Sequence, residues 1–99
     1  MYGTVARLRI RQGAEAQFSQ HLRDFTTLNV PGFVATYLYR TDADPRECYM
    51  AVLFESKAAY VANAESPAQG ARYQQMRSLL ESDPDWHDGE VSSFGVVAR

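Results

Sequence analysis

The sequence predicts an α+β chain of ferredoxin-like β-α-β-β-α-β order: a four-stranded antiparallel sheet with two helices on one face. Three observations carry this. The N-terminal stretch alternates with a period of two, the next segment repeats its apolar residues every three or four positions, and "CYMAVLFES", Cys48 to Ser56, holds an apolar run with no alternation. Such a run needs cover on both of its faces.

Each element follows in order. From Tyr2 to Arg11, residues Tyr2, Thr4, Ala6, Leu8 and Ile10 take one side and Val5, Arg7 and Arg9 the other, which makes a first strand. "RQGAEAQ" turns at Gly13 into a helix, where Phe18, Leu22, Phe25 and Leu28 form one stripe. That helix is expected to end at Asn29, before Pro31-Gly32. Phe33 to Arg40 is aromatic and β-branched, a second strand. The polar turn "TDADPRE" joins it to the third, so the two form an antiparallel hairpin.

Ser56 is a good N-cap for "KAAYVANA". Ser66-Pro67-Ala68-Gln69 has Ser at N-cap, Pro at N1 and Gln at N3, a capping box. The helical region should therefore break near Glu65-Ser66 and resume to about Glu81, with Tyr73, Met76, Leu79 and Leu80 as its stripe. "SDPDWHDG" reads as a loop. "EVSSFGVVA" reads as the last strand, with a bulge at Gly95.

Two helices on one face leave the other face bare. Strands three and four, the latter through "FGVVA", read as apolar on both sides, so the bare face calls for cover from outside the chain. A second copy packed sheet to sheet about a two-fold axis is the economical cover. Homodimerisation through the open sheet face is thus expected.

The 99 residues suit one domain, 1–99, with a two-layer core. Apolar residues are 45% and charged residues 22%, a globular mixture. Net charge is -2 and the arginines are scattered, so no nucleic-acid partner is expected; Arg7, Arg9 and Arg11 read as the exposed side of a strand. No apolar run approaches the ~20 residues of a membrane span. Arginines interrupt the N-terminus, which removes a signal-peptide core. Cys48 stands alone in the most apolar stretch and supports no disulfide. These features together suggest a cytoplasmic protein without a membrane partner. Nucleotide, flavin and zinc motifs are absent from the sequence, and neither cofactor nor metal is expected.

Some side chains stand out on their own. His21 falls on the apolar stripe beside Leu22, where it is a base near neutral pH or a satisfied structural histidine. Trp86 and His87 sit among three acids in "DPDWHD", without ligand spacing for zinc. Trp86 is expected to plug the mouth of a barrel, and Asp83 to cap a turn. Tyr37, Tyr39 and Tyr49 either line a pocket for an aromatic ligand or pair across strands at the dimer face.

Four segments in this order, "RLRIRQG", "PGFVATYLYR", "AVLFESKAAY" and "SPAQGARYQQM", make the chain resemble the antibiotic biosynthesis monooxygenase (ABM) family of dimeric α+β barrels. The resemblance follows nearly the whole chain. It implies a pocket between the sheet and the helices. It also implies either of two chemistries: haem degradation, or cofactor-free oxidation of a quinol- or anthrone-type aromatic by O2. In the second, the deprotonated substrate itself reduces O2, and the protein binds a flat aromatic, moves a proton and stabilises an oxyanion.

The haem-degrading members carry an Asn, a Trp and a His ligand where this chain has Ala6, Asn63 and Tyr73, so that activity is not expected. The anthrone-oxidising members carry an Asn and a Trp on strand three, where Met50 and Phe54 stand here. Their helix Tyr matches Tyr60, and their Arg lies close to Arg72. The resemblance thus implies catalytic candidates Tyr60 and Arg72, to which the apolar stripe adds His21; Met50, Phe54 and Tyr73, with Trp86 from the loop, are expected to line a site for a small hydroxylated aromatic. Alternatives are a ligand-binding dimer without catalysis, and a structural accessory whose pocket its own side chains fill. For Arg72, a further alternative is an ion pair with Glu65 or Glu81.

Overall fold

The computed structural model describes residues 1–96. Its elements are β1 (Tyr2–Arg9), α1 (Glu15–Phe25), β2 (Phe33–Arg40), β3 (Glu47–Phe54), α2 (Lys57–Ala64), α3 (Pro67–Ser78) and β4 (Asp85–Glu90). The strands form one antiparallel sheet of order β2-β3-β1-β4. The expected α+β sheet with helices on one face is therefore present. The second helical region breaks where the capping box falls, as expected, into α2 and α3. Ser56 accepts from the Ala59 N–H and Ser66 from the Gln69 N–H, both at 3.1 Å.

The alternation of β1 determines what it buries. Thr4, Ala6, Leu8 and Ile10 are buried and Val5 and Arg7 are exposed. The buried side meets Cys48, Met50, Phe18, Met76 and Leu80 to form the core beneath the helices. Fully burying a side chain the size of Leu or Phe contributes about 1.5–3 kcal/mol, so these few residues hold the two layers together. Burial also pushes the Cys48 thiol pKa up, which keeps it protonated and unreactive.

Gly32, just before β2, has φ +77°, a conformation that L side chains rarely adopt. A Cβ there would come within 2.5 Å of Ala59 Cβ on α2. Its carbonyl accepts the Glu55 N–H at 2.8 Å, so this turn fixes the start of β2 against the entry to α2.

Four expectations are corrected. Helix α1 stops at Phe25, not Asn29, because the Thr26 and Thr27 hydroxyls donate to the Arg23 and Asp24 carbonyls, each at 2.7 Å, and Asn29 takes φ +53°. Leu28 consequently leaves the stripe and is exposed. Helix α3 ends at Ser78 rather than near Glu81, although Leu80 stays fully buried and bridges to Ile10.

The largest correction concerns the last strand. "DWHDG", expected to be part of a loop, forms β4 together with Glu90, and these residues pair with Tyr2 to Arg7. Residues 91–96 of the expected strand have no regular structure, and Gly95 belongs to no strand. Positions 97 and 98 lie outside the described residues. An edge strand with one open side needs no apolar run, which is why composition pointed to the wrong segment.

On the face away from the helices, Val5, Tyr37, Tyr39 and Tyr49 are exposed. Tyr39 and Tyr49 pair across β2 and β3 with ring centroids 6.4 Å apart. These tyrosines therefore do not line the pocket. The arginines of β1 are engaged at one end of the sheet: Arg7 pairs with Glu47, and Arg9 with Asp44 at 2.6 Å and with Glu81 at 3.1 Å. Among the described residues, no helix is long and apolar enough to cross a membrane.

Candidate functional site

A cavity of about 450 Å³ opens between the sheet and the helices. Such a volume takes a small aromatic molecule of a few rings. Its floor is the helix-facing side of the sheet. Alternation brings Thr4, Thr36, Met50, Val52 and Phe54 to that side, and Trp86 and Asp88 join them from β4. His21, Leu22 and Phe25 come from α1. Tyr60 and Asn63 come from α2, one turn apart, and Gln69, Arg72, Tyr73 and Met76 from α3.

All seven candidates from the sequence thus face one cavity: Tyr60, Arg72, His21, Met50, Phe54, Tyr73 and Trp86. Trp86 reaches it from a strand rather than from a plugging loop, and packs against Tyr73 with ring centroids 6.2 Å apart. Asp83 accepts from Arg77 Nε at 2.7 Å, and His87 points away with Asp85.

Two polar clusters mark the otherwise apolar lining. In the first, the Tyr60 hydroxyl donates to Asp88 Oδ1 at 2.9 Å. Burial, the bond to Asp88 and its negative charge together push the Tyr60 pKa up to about 12. The phenol therefore stays protonated at neutral pH and acts as a donor. The neighbouring Thr4 hydroxyl pulls that pKa the other way, but it makes no well-formed hydrogen bond. Burial with Asp88 outweighs Thr4.

In the second cluster, Arg72 donates from Nε to Gln69 Oε1 at 3.0 Å and from Nη2 to Asn63 Oδ1 at 3.3 Å. Its guanidinium lies 5.4 Å from the centroid of the Phe25 ring. Neither Glu65 nor Glu81 is its partner: Glu81 accepts from Arg9 and Arg46. Neutral amides leave the Arg72 charge uncompensated within these contacts. His21 nearby has its pKa lowered, first by burial and also by Arg72, against the opposing pull of Asp24. Its imidazole is neutral at pH 7 and can accept a proton.

The clusters are joined by aromatic rings. Phe25 meets Phe33 at 5.0 Å, Phe33 meets Phe54 at 5.9 Å, and Phe54 meets Tyr60 at 5.8 Å, each edge to face. Asp88, Thr4 and Gln69 were not singled out by sequence reasoning, and Asn63 was weighed only as a mismatch. A signal existed for Asp88: it stands two residues after Trp86, so a strand reading of "DWHDGE" puts both on one face.

Comparison with known proteins agrees with this architecture. A model of the antibiotic biosynthesis monooxygenase family matches residues 1–75, and the chain belongs to that family. Among solved structures it is similar to SnoaB, a cofactor-independent oxygenase from Streptomyces nogalater, with 17% identity, a TM-score of 0.79 and 94% of each chain covered. A protein from Caulobacter crescentus assigned to the same monooxygenases has 19% identity and a TM-score of 0.77, covering 93% of this chain and 90% of that one. A conserved protein from Methanosarcina mazei has 12% identity and a TM-score of 0.75, with 89% of each chain covered. No curated protein sequence matches.

Proposed function

We propose that this protein is a cytoplasmic, homodimeric, cofactor-independent monooxygenase that oxidises a small hydroxylated aromatic of quinol or anthrone type with O2. The observation that carries this reading is the protonated Tyr60, tied to Asp88, facing an apolar cavity large enough for a fused-ring ligand. The family and the likeness to an oxygenase support it.

The chemistry needs little from the protein. For an anthrone, loss of a ring C–H proton gives an electron-rich anion, which reduces O2. One oxygen atom enters the substrate as a carbonyl and the other leaves as water. The apolar walls favour the flat ring. As charge develops on the substrate oxygen, the Tyr60 hydroxyl turns its proton from Asp88 to that oxygen, His21 accepts a proton in its neutral form, and Arg72 stabilises negative charge. The exposed Val5, Tyr37, Tyr39 and Tyr49 supply an apolar face for a second copy.

A second reading has its own support. Met50 and Phe54 put apolar groups where the anthrone-oxidising relatives carry Asn and Trp, which fits a dimer that binds an aromatic ligand without turnover. Oxygen uptake with a panel of quinols and anthrones, run with chelator present, separates the two. Turnover is expected, together with a loss of rate in Tyr60→Phe. No uptake from any substrate, with ligand-induced thermal stabilisation retained, would establish the binding reading instead.

A further inference from the structure

Thr4 is 4% exposed, lines the cavity, and carries the only buried side-chain polar atom without a hydrogen-bond partner among the described residues. Buried hydroxyls ordinarily find a partner. Valine would fill the same space without an orphaned hydroxyl. Thr4 lies directly opposite Asp88 in the β1–β4 ladder, and Asp88 holds the Tyr60 hydroxyl.

We propose that Thr4 Oγ1, Asp88 and Tyr60 form a subsite for the hydroxyl group of an aromatic ligand. The ligand oxygen accepts from Thr4, and its proton goes to the Asp88 carboxylate. The donor count selects this group. Thr4 can donate, Asp88 can only accept, and the Tyr60 proton is already committed to Asp88. A hydroxyl satisfies both open partners. An ether or carbonyl oxygen satisfies Thr4 alone, and a carboxylate is repelled by Asp88. The subsite rests on the reading above for the aromatic class of ligand, but not on turnover.

Calorimetric titration of the whole chain with 2-naphthol, 2-methoxynaphthalene and 2-naphthoate tests it. The naphthol should bind about tenfold tighter than the ether, the ratio expected for one well-made hydrogen bond, and the naphthoate more weakly than either. Thr4→Val should weaken naphthol and ether alike, by about tenfold, because both accept from Thr4, and should keep the preference that Asp88 supplies, while Thr4→Ser restores both affinities. Ligand-free Thr4→Val should also melt about 4–8 °C higher, because an orphaned hydroxyl is removed; Thr4→Ala carries the binding comparison if that variant does not fold. Equal affinities for naphthol and ether, no naphthol binding, or affinities for both that Thr4→Val leaves unchanged would overturn the subsite. Absence of O2 uptake with the preference intact removes only the oxygenase reading, and loss of the preference with uptake intact removes only the subsite.

Discussion

Tyr60 on helix α2 and Asp88 on edge strand β4 stand 28 positions apart in the chain and meet at 2.9 Å across the cavity. Burial, joined by that bond, raises the folded-state Tyr60 pKa from 10 to about 12. The sign follows from proton binding: between these values the folded state holds a proton that the unfolded state has lost. Stability from Tyr60 is complete below pH 10 and declines as pH rises toward 12. Thermal melts of wild type and Tyr60→Phe across this range should diverge, with wild type losing more. Parallel curves would show that Tyr60 titrates alike in both states.

The same substitution should slow oxygen uptake. Removing one preorganised donor to a developing oxyanion costs about 10²–10³-fold in turnover, and a loss near the lower figure fits a phenol only half-buried. Steady-state rates with the best quinol or anthrone measure it. A rate equal to wild type removes Tyr60 from the chemistry.

His21 is shifted in the opposite sense, below 6.5, chiefly by burial. In the window below 6.5 the unfolded state binds the extra proton, so stability from His21 is complete above 6.5 and is lost as pH falls through its folded pKa. Proton NMR of the two histidines, assigned with His21→Gln, should show its resonance titrating below the ordinary histidine range. If His21 also accepts the substrate proton, the acid limb of the rate profile follows the same value.

Pairing through the bare sheet face predicts that charge introduced there breaks the dimer. Tyr37 is 60% exposed on the face away from the helices. Sedimentation of wild type at micromolar concentration should give twice the chain mass, and Tyr37→Glu a single chain that still melts cooperatively. A monomeric wild type would refute this use of the face.

At the turn before β2, Gly32→Ala should lower stability by about 2 kcal/mol or more, from a strained positive φ and from overpacking against Ala59. Urea unfolding measures it.

Much of this architecture was legible in the chain. Strand β1 showed its buried face through alternation, and Ser56 and Ser66 marked both helix starts because caps act locally. Tyr73 could be placed on the inward stripe of its helix from spacing, and Tyr60 and Arg72 were pointed to by the family resemblance. The misreading began where local chemistry and burial part company. Thr26 and Thr27 end α1 early through side-chain bonds that an apolar stripe does not reveal. Strand β4 is polar because its outer face and edge meet water, so "FGVVA" looked like the better strand. With β4 misplaced, Asp88 and its bond to Tyr60 were out of reach. Thr4 was visible only as one more inward position, since the absence of a partner is a property of the packed structure.

Strand β4 is held in the sheet on one side only, by β1, yet it carries Trp86 and Asp88. A cavity wall built on an edge strand frays more readily than one built on a central strand. Ligand entry and release can then proceed through transient detachment of backbone, with no separate lid. An occupant bonded to Asp88 would raise the hydrogen-exchange protection of this strand, so residence time and strand dynamics are two readings of one equilibrium.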